Sequence, residues 1–269
     1  MNRIDDAFRR LKESGHGGLM PFVCAGAPTL DALTGVLPAL SDAGASVIEV
    51  GIPFSDPIAD GPVIAAAMHD AIGRGITPTM VFDQVRSVRD RVGSGIVAMV
   101  SVSLVHAMGG PGEFTRRAAE SGFDGCIFPD APLEESDELA DACAGAQLTC
   151  SLLIAPTTPE ARAKQIAEKC SGFVYLLARA GITGEQRDAP EIAERVRMLR
   201  RVTRLPVACG FGIGTPEHVR AVVEHADAAI VGTALVRRLE SAREQGQSIA
   251  GEAENFLTEL STGLIPMNQ

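Results

Sequence analysis

No apolar run in this chain approaches the roughly 18 residues that cross a bilayer. Its first residues, Met1-Asn2-Arg3-Ile4-Asp5-Asp6, are charged and lead into an amphipathic segment, where an export signal would place a short apolar stretch and a small-residue cleavage site. A soluble, cytoplasmic protein is expected. Cysteine is scarce and scattered: Cys24, Cys126, Cys143, Cys150, Cys170 and Cys209 include no C-x-x-C pair, which favours reduced thiols over a disulfide framework or a metal site. Cations are outnumbered, 24 Lys and Arg against 34 Asp and Glu. The resulting net charge of −10 argues against nucleic acid, which is held by basic side chains. For the same reason a phosphorylated ligand would have to be attracted by local donors, because the global field opposes it. There is no tryptophan, one tyrosine (Tyr175), and no Pro/Ser-rich linker or low-complexity tract. At 269 residues the whole chain, 1–269, therefore reads as one domain of a size usual for an α/β barrel.

What is present is an alternation. Eight short aliphatic runs, each closed by a Gly, Pro or Asp turn, read as strands: Leu19–Cys24, Ser46–Val50, Ile96–Ser101, Gly125–Phe128, Thr149–Ile154, Phe173–Leu176, Pro206–Cys209 and Ala228–Val231. Most lack polar alternation, as parallel strands covered on both faces do. Between them the period turns helical. Thr29 is the expected cap of a helix carrying Leu33, Val36, Leu37 and Leu40, with Gly44 as its stop and Pro38 as its one unfavourable residue. Thr215-Pro216-Glu217 supplies a cap, a first-turn proline and a favourable charge to a second helix. The pattern predicts a single (β/α)8 barrel with extra helices, a doubly wound open sheet being the alternative. The interval between the second and third strands is much the longest and holds two helical stretches, Val63–Ile72 and Pro78–Val92. In a barrel it opens on the C-terminal face, where active sites are built.

The second strand and that interval carry acids. Glu49 interrupts the apolar run Val47-Ile48-Glu49-Val50. It is either a salt-bridge partner at the rim or a general acid/base whose pKa burial has raised. Asp56 and Asp60 follow in a loop stiffened by Pro53 and Pro57; turn capping or surface contact would account for Asp56 without chemistry, while two acids from one strand–loop unit could handle two protons on one substrate. Glycine-rich turns follow the seventh and eighth strands, at Gly210-Phe211-Gly212-Ile213-Gly214 and Gly232-Thr233. Barrels bind phosphate there through main-chain N–H groups and a helix N-terminus, which needs no Lys or Arg. Tyr175 ends the sixth strand, where packing is the commoner role of a tyrosine, and Gly181 and Gly184 flank a short segment suited to a lid. The five histidines, His16, His69, His106, His218 and His225, show no ligand spacing and read as surface positions.

The strings Ile48 to Pro57 with Ala59-Asp60-Gly61-Pro62, Tyr175 to Gly184, and Gly210-Phe211-Gly212-Ile213 resemble the α subunit family of tryptophan synthase. So do Pro21-Phe22-Val23 and Asp130 to Ser136. The resemblance implies retro-aldol cleavage of indole-3-glycerol phosphate to indole and glyceraldehyde 3-phosphate. It implies Glu49 as acid/base at the glycerol hydroxyl and indole C3, Asp60 at the indole N–H, and Phe22 and Tyr175 along the indole. Gly184, Gly210, Gly212, Gly232 and Thr233 would lie around the phosphate, with Thr183 in the closing loop. It implies no metal and no organic cofactor in this chain. Pro53 and Asp56 would face a separate β subunit in an α2β2 assembly, and the pyridoxal phosphate would belong to that partner. Two stretches depart from the family pattern: Ser101-Val102-Ser103 stands where members often carry Tyr-x-Asn, and Ala25-Gly26-Ala27 replaces a more polar turn.

Overall fold

The computed structural model describes residues 2–57, 60–178, 192–210 and 212–264. Eight parallel strands, β1 (Gly18–Cys24), β2 (Val47–Gly51), β3 (Gly95–Met99), β4 (Gly125–Phe128), β5 (Thr149–Ile154), β6 (Val174–Leu177), β7 (Val207–Gly210) and β8 (Ala228–Val231), pair in chain order, and β8 closes on β1. The barrel thus forms as the aliphatic runs imply. Period-two alternation divides each strand between two apolar layers. Leu19, Val23, Ile48, Val50, Ile96 and Val174 face outward into the layer shared with the surrounding helices. Met20, Val47, Val97, Ile127, Phe173, Tyr175 and Ile230 belong to the inner cluster. The N-terminal helix Arg3–Ser14 packs Ile4, Ala7 and Phe8 into that inner cluster, so the barrel's lower end is filled by apolar side chains. Chemistry is left to the other end.

Several local expectations change. The third strand stops at Met99, two residues before its expected end, because Ser101 caps a six-residue helix, Val102–Ala107, by accepting from the Ser103 N–H. Thr29 caps no helix: its hydroxyl donates to Asp31, and the helix begins at Leu33 after an N-cap at Ala32 that makes no side-chain bond. That helix runs unbroken to Asp42 with Pro38 buried inside it, and Gly44 follows at φ +91°. The two extra helices are Pro62–Gly73 and Pro78–Val88, the latter ending earlier than expected in a short 3-10 turn. Thr215 does cap the helix Pro216–Val223, its hydroxyl accepting from the His218 N–H. His218 itself is buried, correcting its reading as a surface position; it lies on the face of that helix that also buries Val219 and Val222. All six cysteines are free thiols, five of them buried. Among the described residues no helix is long and apolar enough to cross a membrane, and no group of three or more His, Cys, Asp or Glu residues could hold a metal ion.

Candidate active site

A cavity opens at the C-terminal end of the barrel, and most of the acids and glycines singled out in the sequence line it. Strand register sets its floor. Phe22 of β1 lies opposite Glu49 of β2, and Glu49 opposite Val97 of β3. Inward-facing Tyr175 and Ile230 complete an apolar ring around one carboxyl group. Glu49 is 0% exposed, and neither of its oxygens has a hydrogen-bond partner among the described residues. Among the described residues no salt-bridge partner for Glu49 is found. Burial pushes its pKa well above the ordinary 4.5, because an apolar surrounding disfavours the charged form.

Asp60 reaches the same cavity from the loop after β2. A turn, Asp60 N–H to Pro57 C=O at 3.1 Å, sets it just before helix Pro62–Gly73, whose Ile64 and Met68, one turn apart, form the adjoining apolar wall. Burial raises Asp60 to about 6, within reach of neutrality. Tyr175 is 4% exposed, and its phenol is held well above its ordinary pKa by burial first and then by the nearby Glu49 carboxyl. At Gly210 a Cβ would stand 2.6 Å from the Tyr175 hydroxyl, so the absence of a side chain at the end of β7 makes room for the phenol. Gly210 shapes this tyrosine's seat and does not itself line the cavity.

Across the mouth lie Gly212, Gly232 and Thr233. Gly212 adopts φ +79°, a backbone region that glycine enters without steric cost. Gly232 is the N-cap of helix Thr233–Glu244. Two helices follow β8, and the one whose N-terminus meets the cavity is the first of them, ahead of Ile249–Ser261. Its first N–H groups and its dipole supply positive potential without a basic side chain. Asp56 is exposed at the rim and also lines the cavity, whereas Pro53 is buried. Thr183 and Gly184, with the expected lid hinge Gly181, lie outside the described residues.

Two polar residues of the cavity wall carry no role predicted from the sequence. Ser101 donates to Asp130 Oδ2 at 2.6 Å, and Asp130 Oδ1 accepts from the Val102 N–H at 3.0 Å. Both Ser101 and Asp130 line the cavity. The serine stands in the stretch that departs from the family pattern, and the aspartate opens one of the matching strings, but nothing in the sequence pairs them.

A closed eight-stranded α/β barrel whose C-terminal mouth joins two acids of raised pKa to glycine turns and a helix N-terminus has the architecture of a barrel enzyme. The family model of the tryptophan synthase alpha chain matches residues 8–264. The tryptophan synthase alpha chain of Laribacter hongkongensis is 42% identical over 247 residues, covering 91% of this chain and 93% of that protein. Among solved structures, tryptophan synthase subunit alpha from Legionella pneumophila has a TM-score of 0.88 at 32% identity, covering 98% of each chain. A chain of Mycobacterium tuberculosis tryptophan synthase has a TM-score of 0.88 at 28% identity, covering 100% of each. The chain belongs to the tryptophan synthase alpha chain family.

Proposed function

We propose that this chain cleaves indole-3-glycerol phosphate to indole and glyceraldehyde 3-phosphate by a retro-aldol reaction, with Glu49 and Asp60 as its catalytic acids. The observation that carries this reading is Glu49: a carboxyl group 0% exposed, without a hydrogen-bond partner among the described residues, and facing a cavity. Burial of this kind favours the protonated form. Glu49 can deliver its proton to indole C3, and the carboxylate so formed then takes the proton of the glycerol hydroxyl next to the ring. As that proton leaves, the carbon–carbon bond breaks, the aldehyde forms, and the bonding electrons return to the ring. Glu49 ends protonated as it began, so no net proton or water is consumed.

Asp60, with its pKa near 6, is a carboxylate at neutral pH. It pairs with the indole N–H while the protonated ring is cationic. Two carboxyl groups from one strand–loop unit thus take opposite protonation states because their burial differs. Phe22 and Tyr175 flank the indole ring. The phosphate sits at Gly212, Gly232 and Thr233, with Gly210 behind Tyr175; the substrate roles expected of Thr183 and Gly184 fall outside the described residues. Metal and organic cofactor have no part in these steps. By family membership the partner is a β subunit carrying pyridoxal phosphate, in an α2β2 complex in the cytoplasm. The loop of Pro53 and Asp56 faces that subunit through its exposed residues Ser55 and Asp56.

The test is to incubate the purified chain with indole-3-glycerol phosphate, with and without a β subunit, and measure indole. Release is expected from the chain alone, and to be faster with the partner by about 5–150-fold, the usual span of coupling between distant sites. Equal release with and without the partner would favour a lyase that works by itself, and no release in either case would overturn the assignment. The phosphate end has its own test. Gly212→Asp brings a carboxylate against the phosphate at a position where Asp tolerates positive φ better than most residues. Glycerol 3-phosphate should then compete roughly ten-fold or more weakly for the site, with the fold intact. Undiminished competition would show that this turn does not hold phosphate.

A further inference from the structure

The charges lining the cavity are segregated. Its carboxyl groups, Glu49, Asp56, Asp60 and Asp130, come from β2, the loop after β2, and the loop after β4. The glycine turns and the helix N-terminus come after β7 and β8. In a closed barrel paired in chain order, β3 and β4 stand four strands from β7 and β8, directly across the mouth. Asp130 is the outermost charge at the β3–β4 end, exposed at the rim, yet its carboxylate is held in place. One oxygen accepts from the Ser101 hydroxyl at 2.6 Å and the other from the Val102 N–H at 3.0 Å. Ser101 is 7% exposed and in turn accepts from the Ser103 N–H at 3.3 Å, so the clamp is built into the wall of the cavity. Both donors to Asp130 are neutral, and among the described residues its carboxylate forms no ion pair.

We infer that Asp130 is a positioning residue: clamped by Ser101 and Val102, its carboxylate bars the substrate's phosphate from the β3–β4 end of the cavity. This inference rests on the reading that the phosphate belongs at Gly212, Gly232 and Thr233. A substrate with an apolar ring at one end and a dianion at the other can enter a cavity either way round, and only one orientation brings indole C3 to Glu49. A fixed negative charge at the ring end disfavours the reversed orientation by direct repulsion. At the same time it leaves the productive orientation, with the phosphate across the mouth, almost untouched.

The experiment is steady-state kinetics of the full chain on indole-3-glycerol phosphate at low ionic strength, comparing the parent with Asp130→Asn, Ser101→Ala and Ser101→Thr. Asn keeps an acceptor for the clamp and removes the charge. Reversed, unproductive binding then competes with productive binding, so kcat and KM should fall together by about two- to five-fold while kcat/KM stays constant. The change should vanish at 1 M salt, where the screening length is about 3 Å. Ser101→Ala frees the carboxylate without discharging it and should give a smaller change of the same kind, which Ser101→Thr, retaining the hydroxyl, restores. A loss of kcat/KM at constant KM, unchanged kcat and KM in Asp130→Asn, or a change indifferent to salt would each overturn the inference. If Asp130→Asn does not fold, the Ser101 pair decides it by the same criteria. Gly212→Asp separates the two readings. If glycerol 3-phosphate competes as well against that variant as against the parent, the phosphate assignment has failed. If that competition weakens while the Asp130 and Ser101 variants behave as the parent, only the inference about Asp130 has failed.

Discussion

Replacing Glu49 with Gln is expected to lower kcat by at least about 10²–10⁴-fold, the usual contribution of a positioned acid or base, with little change in substrate affinity. Gln fills the same space and keeps hydrogen-bonding capacity, but it cannot give a proton to indole C3 or take one from the hydroxyl. The variant should not be destabilised, because Glu49 has no partner among the described residues to lose. The pH dependence has a definite sign. Folding raises this group's pKa, so between the ordinary 4.5 and the folded value the folded chain binds more protons than the unfolded one. Stability is therefore fully present below about 4.5, falls as pH rises through that window, and levels off above the folded pKa. Gln does not titrate. Thermal melts across this range should show the parent losing stability that Glu49→Gln retains, and a lower melting temperature for the variant at every pH would contradict the account.

Asp60→Asn should produce the second large loss, on the order of 10²-fold in kcat, comparable to removing one preorganised electrostatic partner of a transition state. Asn still accepts from the indole N–H, but it offers no negative charge to the protonated ring. Because burial places Asp60 near 6, kcat/KM of the parent should climb with pH through about 6 as the carboxylate forms. The same limb should be missing from the residual activity of Asp60→Asn. A limb that persists unchanged in the variant would belong to another group, and Asp60 would then not be the carboxylate that steadies the protonated ring.

The barrel was legible because parallel strands covered on both faces must be short apolar runs, as in Val47-Ile48 and Ala228 to Val231. Glu49 stood out for the same reason: a carboxyl inside such a run has to be explained. Where the expectations shifted, long-range partners had outweighed local propensity. Ser101 reads as the end of a strand until Asp130, 29 residues further on, is seen to accept its hydroxyl and turn it into a helix cap. Thr29 has the chemistry of a cap, but its hydroxyl donates to the Asp31 side chain two residues on, and the helix starts later. His218 reads as polar and therefore exposed, yet the face of its helix that also carries Val219 and Val222 packs inward. Ile64 and Met68 were legible as a helical stripe but not as cavity wall, because one apolar stripe looks the same whether it meets a core or a substrate. Which loops meet across a barrel mouth is fixed by closure of the sheet, and no window of sequence shorter than the barrel contains that information.

The most direct measurement of the central claim uses one preparation of Glu49→Gln beside the parent: the melting temperature of each, and the indole formed in a single turnover with enzyme in excess over indole-3-glycerol phosphate. The account predicts two folded proteins that both bind the substrate, the variant melting no lower than the parent, with indole formed rapidly by the parent and slower by at least about 10²-fold by the variant. A variant that melts markedly lower yet forms indole at the parent's rate per folded molecule would show Glu49 to be a structural residue and contradict the account.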